Sequence, residues 1–186
     1  ILATQAGVSV KSRQSFAELE DSCLVSLRYL TSLVEARCPY LTGHMERTAK
    51  LSEKLGTARG QGADEIKALR LGASLRDIGL IGISEYILNK PGELSPEEWE
   101  IVKRHPVIGD EILAPFQFLA DARQIVRHHH ERLDGEGYPD GLSGNELTPS
   151  IHIVLLVDAY TAMTSSRPWG QPVLKSEALL WLEGEK

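Results

Sequence analysis

The chain has 186 residues, enough for one domain with a helical lead-in. An apolar fraction of 42% and a charged fraction of 25% are those of an ordinary folded domain and exclude a low-complexity or fibrous chain. A net charge of −6, with no dense Lys/Arg stripe, argues against nucleic acid as the main partner.

The first 13 residues are mixed and polar and are expected to be poorly ordered. From Ser15 to Ala36 the positions Leu19, Leu24, Leu27, Leu30 and Leu33 recur at helical spacing. That stripe fits packing on the body or against a second copy in a homodimer. Gly43 to Leu55 reads as a helix closed by Gly56, and Ala63 to Leu75 as a third helix. The glycines of Asp77-Ile78-Gly79-Leu80-Ile81-Gly82 break the pattern. Ser95-Pro96-Glu97-Glu98 is a helix start, with a capping serine, a first-turn proline and a glutamate that completes a capping box. That helix is expected to end near His105-Pro106. A short helix follows over Val107–Leu113 and a longer one over Phe118–His130. Asp134 to Glu146 is a Gly-rich loop. Ile151 to Ala162 starts with β-branched residues but reads as a buried helix, and Leu174 to Leu182 as a helix cut short. The organisation expected is a lead-in over residues 1–36 and one all-α helical domain over residues 37–186.

Cys23 and Cys38 form neither a disulfide framework nor a Cys-x-x-Cys pair, so a reducing, cytoplasmic setting is the default expectation. No apolar run approaches a membrane span, and residues 1–10 lack the features of a signal peptide. The chain opens on Ile1 rather than Met, which fits a fragment or a processed chain.

The stretch richest in chemistry is His128-His129-His130-Glu131-Arg132-Leu133-Asp134-Gly135-Glu136-Gly137-Tyr138-Pro139-Asp140-Gly141. Imidazole is the commonest protein ligand for a divalent transition metal, and three of them running into a Gly/Pro loop read as the wall of a metal site. An exposed helix end, where histidines sit well near carbonyls, is the alternative. His129 and His130 lie one turn after Ile125 and Val126 and are expected to point inward, while His128 faces solvent or lies behind the site. Asp77 and Asp158 sit in apolar runs, and a buried carboxylate must be paired or metal-bound. Taken alone, His44 is a polar residue near a helix start and His105 a helix-end residue. His152 reads as structural and Trp99 as core.

Together the ordered motifs resemble the HD-GYP domain, a branch of the HD metal-dependent phosphohydrolases. They are Gly43-His44-x-x-Arg47, Asp77-Ile78-Gly79-x-Ile81-Gly82-Ile83, the 87–99 stretch from Ile87-Leu88 to Glu98-Trp99, Lys103-x-His105-Pro106-x-x-Gly109, the His128–Gly141 run, and Asp158-Ala159-Tyr160 through Arg167-Pro168. The resemblance implies an all-α, HD-domain-like bundle that hydrolyses cyclic di-GMP, with iron or manganese as cofactor. The implied metal ligands are His44, Asp77, His105, His129, His130 and Asp158, with Asp77 also the catalytic candidate. Arg167 is the implied phosphate-binding residue; taken alone, it reads as an ordinary surface ion-pair residue. The loop Gly137, Tyr138 and Pro139 is implied to shape the site's edge or to meet a partner such as a GGDEF cyclase.

The chain departs from this pattern. Arg76 stands where the resemblance implies the first histidine of the His-Asp pair, and a guanidinium offers no lone pair to a metal. Leu80 replaces an implied lysine, Gly170 an implied basic residue, and Tyr40 the glutamate of three-metal members. Arg76 could instead bridge Asp77 and Asp158 without metal, leaving His105, His129, His130 and Asp158 for one ion. The expectation is therefore a degenerate signalling domain that works by binding a cyclic dinucleotide or a partner, with one ion or none. The alternative is an active phosphodiesterase with an altered site. A pure dimerisation module ranks last.

Overall fold

The computed structural model describes residues 2–165 and 171–184. All regular structure among the described residues is helical. The helices are α1 (Leu2–Arg37), α2 (His44–Ala58), α3 (Ala63–Leu75), α4 (Glu85–Leu88), α5 (Pro96–Val102), α6 (His105–Leu113), α7 (Ala120–His128), α8 (Pro149–Met163) and α9 (Lys175–Gly184). No helix of the described residues is long and apolar enough to cross a membrane.

Three apolar clusters hold the bundle. Ala49 of α2, Leu69 and Ala73 of α3, Ile125 of α7 and Val154 of α8 form one. Leu27 of α1 joins Leu71, Leu75, Ile78, Leu113 and Val126 in the second. The third gathers Val34, Cys38, Leu41, Met45, Leu80 and Leu88 under the end of α1. α3 contributes to the first two clusters and ends at Arg76, so the packing of α3 fixes where the Arg76-Asp77 pair emerges.

Local chemistry explains most boundaries. At α5 the Ser95 hydroxyl accepts from the Glu98 amide at 3.3 Å, and the Glu98 carboxylate accepts from the Ser95 amide at 2.7 Å, closing the expected capping box. At α8, Thr148 caps the Ile151 amide and Pro149 fills the first turn. Ile151 to Ala162 is helical, as its context implied.

Several expectations are corrected. The first helix begins at Leu2 rather than near Ser15; the added stretch holds no proline, and its one glycine, Gly7, costs about 1 kcal/mol. Of its leucine stripe, Leu27 is buried and Leu24 packs beside it, while Leu19 and Leu33 remain exposed. α2 runs through Gly56 to Ala58, with the Arg59 amide still bonded to the Leu55 carbonyl. His105-Pro106 opens a helix instead of closing one. α5 has already ended at Val102, and a proline in the first turn costs no hydrogen bond. α7 stops at His128, so His129 and His130 lie just past its end.

Gly79 is the tightest junction. A Cβ there would strike the His105 carbonyl and come within 2.6 Å of the Gly109 amide. Its bare backbone lets the short 3-10 stretch Ile78–Gly82 lie directly on the start of α6, which carries Asp77 to His105. We predict that Gly79→Ala lowers stability by about 1–3 kcal/mol through overpacking. A shift in the urea midpoint measures this, and an unchanged midpoint contradicts it.

Candidate metal and phosphate site

Arg76 is fully buried, which is rare for a guanidinium. It lies between two carboxylates. Its Nε donates to Asp158 Oδ1 at 2.9 Å, and its Nη2 sits 2.8 Å from the same oxygen and 3.2 Å from Asp77 Oδ2. Nη1 donates to the Ala73 carbonyl at 2.8 Å. His44 approaches Asp158 Oδ1 at 3.3 Å from the start of α2. One cation thus gathers Asp77 from the end of α3 and Asp158 from the middle of α8. A divalent ion about 4 Å from that guanidinium would be opposed by roughly 8 kcal/mol at an effective dielectric near 20.

The other oxygen of Asp77 faces a different set. Asp77 Oδ1 lies 3.6 Å from His105 Nε2 and 3.8 Å from His129 Nε2. His105 Nδ1 lies 2.8 Å from the Val102 carbonyl and His129 Nδ1 lies 2.7 Å from the Val126 carbonyl. A carbonyl only accepts, so each Nδ1 carries a proton, which leaves Nε2 as the ring atom that can face a metal. Those two Nε2 atoms are 3.1 Å apart. Two bare acceptors at that distance repel unless a cation or proton sits between them. The spacing is near that of adjacent donors on a coordination shell of about 2.1 Å radius. Donating Nδ1–H to a backbone carbonyl is also how metal-bound histidines are usually oriented. Donor atoms of Asp77, His105, His129 and His130 all lie within 4.8 Å of one another, so these four fit one ion. Asp77 completes this set, not Asp158, because Asp158 is already engaged by Arg76 and His44.

Protonation follows the same division. Burial raises the Asp77 carboxyl, but Arg76, His129 and His105 outweigh it and hold it well below the usual range. Asp158 is likewise raised by burial and lowered further by Arg76 and His44. Burial pushes His105 down to about 4, with His129 adding to the effect. Burial and the neighbouring imidazoles also push His130 well below its ordinary value. Ionised carboxylates beside the neutral imidazoles of His105 and His130 are the protonation state that a divalent ion needs.

The Gly-rich loop folds back over this centre. The Tyr138 amide donates to the His130 carbonyl at 3.1 Å, and the rings of Tyr138 and His130 stack at 4.8 Å. Gly137 presses on the backbone of Glu131 and Arg132, where a Cβ would clash. Glu131 was not singled out from the sequence, yet its buried carboxylate accepts from the Asp140 and Leu142 amides at 2.7 and 3.0 Å and anchors the loop. The only sequence signal was an acid placed between the histidines and the turn. His128 is buried rather than solvent-facing, with Nε2 3.0 Å from the Asp140 carboxylate. Trp99 is not core: it is 44% exposed and lines an open cleft of about 660 Å³ with His44, Asp77, His105, His130 and Tyr138. Leu80 is buried in the floor of that cleft, and Tyr40 lines it too. Arg167 and Gly170 lie outside the described residues.

Two predictions follow from the charges. Arg76→Ala leaves two carboxylates facing each other and should cost about 3–5 kcal/mol, seen as a large fall in melting temperature. An unchanged melting temperature contradicts the bridging role. In the metal-free chain, His105 and His130 fold neutral at pH values where the unfolded chain is protonated, so stability falls as pH drops from about 6.5 to 4. Asp77 and Asp158 titrate lower when folded, so their contribution is present above about pH 4 and is lost below it. Urea midpoints across that range should decrease continuously with falling pH; a flat profile contradicts the assignment.

Comparison with known proteins identifies the family and the fold. The HD domain family model matches residues 28–186. The chain is 38% identical over 174 residues to a cyclic di-GMP phosphodiesterase of Thermotoga maritima, covering 92% of this chain and 47% of that protein. It is 32% identical to the cyclic di-GMP phosphodiesterase response regulator RpfG of Xanthomonas campestris, over 98% of this chain and 49% of that protein. A 3′3′-cGAMP-specific phosphodiesterase of Vibrio cholerae is 34% identical over 95% of this chain and 39% of its own length. The chain therefore spans about half the length, or less, of these relatives. Among solved structures, the HD domain of the Listeria monocytogenes phosphodiesterase PgpH superposes with a TM-score of 0.62 at 18% identity, covering 83% of this chain and 81% of that one. An HDG"Y"P protein of Bdellovibrio bacteriovorus superposes with a TM-score of 0.64 at 22% identity, covering 91% and 57%. These two likenesses bear on the fold, which is all-α in each case. The chain belongs to the HD domain family, in its HD-GYP branch.

Proposed function

We propose that this domain serves cyclic dinucleotide signalling by binding its ligand, and that it has lost efficient two-metal hydrolysis. The observation that carries this reading is the buried Arg76 guanidinium, 2.8 Å from Asp158 and 3.2 Å from Asp77. It holds together, without metal, the carboxylates that would otherwise share an ion. In-line displacement at phosphate with two metals needs both positions. Here His44 and Asp158 remain on Arg76's side, while Asp77, His105, His129 and His130 form the position that fits an ion, with iron or manganese as the cofactor. Such an ion would supply a Lewis acid for one phosphate oxygen.

The ligand class rests on the relatives, which are named for cyclic di-GMP and 3′3′-cGAMP. Leu80 offers no charge to a phosphate, so metal-side binding and Arg167 would carry that load. The Gly137–Pro139 loop borders the cleft and would meet any partner domain docking there. A second reading, a working phosphodiesterase, is favoured by the four-donor group and by relatives that are named as phosphodiesterases.

The test is binding and turnover of cyclic di-GMP by the full chain and by Arg76→His, each supplied with iron and manganese. We expect wild-type binding with little turnover, and at least about 100-fold more turnover in Arg76→His, some 2.7 kcal/mol of transition-state stabilisation. Wild-type turnover equal to that of Arg76→His contradicts the reading and favours the enzyme.

A further inference from the structure

The cleft beside the four-donor group has a wall that the metal chemistry does not use. Trp99, near the start of α5, is 44% exposed and lines the same cleft as Asp77, His105 and His130. An exposed indole beside a polar site is an unusual expense for a helix that could have buried it. Its position is held by the loop. The Trp99 and Tyr138 rings meet edge-on at 6.4 Å and 78°, and Tyr138 in turn stacks on His130 at 4.8 Å and 24°. Two ring-to-ring steps therefore link a metal-donor imidazole to Trp99.

The neighbouring cations are already engaged. Lys90 pairs with Glu98 at 2.6 Å, and Lys103 pairs with Glu100 at 2.6 Å while lying 5.9 Å from the Tyr138 ring centre. The rest of the wall is largely apolar, through Leu41, Leu80, Ile87 and Leu88. Such a wall suits the flat face of a nucleobase better than a second phosphate.

Resting on the cyclic dinucleotide reading above, we propose that Trp99 is the stacking platform for one purine base of the ligand, with Tyr138 fixing the indole's angle. The phosphate end lies toward Asp77, His105 and His130, and the base lies against Trp99. Stacking on an aromatic face is tolerant of base identity, because every base has a π-face. Trp99 therefore supplies affinity for purine cyclic dinucleotides as a class, and discrimination between guanine and adenine comes from other groups.

The experiment titrates cyclic di-GMP into the full chain and into Trp99→Ala, Trp99→Leu and Trp99→Phe. Removing one stacked base contact weakens binding about 5- to 150-fold, so Trp99→Ala and Trp99→Leu should fall in that range. Trp99→Phe keeps an aromatic face and should stay within about threefold of wild type. Trp99→Leu separates stacking from simple bulk, and unchanged melting temperature and metal content show that fold and donor group are intact. Wild-type affinity in Trp99→Leu overturns the platform while leaving the cyclic dinucleotide reading in place. Failure of the wild-type chain to bind cyclic di-GMP overturns that reading and the platform with it.

Discussion

A single buried cation organises the centre of this domain. Arg76 lies between Asp77 and Asp158 and contacts both carboxylates. A guanidinium out of water is costly unless it is paired, and here Nε and Nη1 donate to Asp158 and the Ala73 carbonyl while Nη2 lies between the two carboxylates as an ion pair. The interaction is strong because all partners are shielded, and it is exclusive for the same reason. A permanently charged group between both acids opposes a divalent ion on that side by Coulomb repulsion.

The rest of the architecture serves to present polar groups from helix ends to one small volume. Arg76 and Asp77 follow α3, His44 and His105 open α2 and α6, and His129 and His130 follow α7. Helix ends suit this role because the chain turns there and side chains converge without breaking internal hydrogen bonds. Asp77 is the hinge of the electrostatics. One of its oxygens faces Arg76 and the other faces the histidines, so the two halves of the site are coupled through one carboxylate. The Nε2 atoms of His105 and His129 face each other, with both rings oriented by backbone carbonyls.

Much of this was legible in the sequence. Acids in apolar runs announced Asp77 and Asp158, because an unpaired buried charge is not tolerated. The Ser95–Glu98 capping box fixed the start of α5 from local chemistry alone. What local rules could not settle was direction and depth. His105-Pro106 fits either end of a helix, and only packing on Gly79 decides that it opens one. Trp99 reads as core by hydrophobicity, but its helix is short and buries no residue fully. Glu131 reads as an ordinary exposed acid, and His128 fits either solvent or the rear of the site, until the loop folds back to give each a partner. The choice of Asp77 over Asp158 for the histidine set depends on which acid Arg76 engages more closely, and that is a three-dimensional fact.

The most direct test of Arg76's role is metal content per chain, by elemental analysis of wild-type protein purified without oxygen and supplied with iron and manganese. The account predicts one ion per chain, lost when His129 is replaced by Ala. Two ions per wild-type chain would contradict it, because Arg76 would then have to leave the position between Asp77 and Asp158.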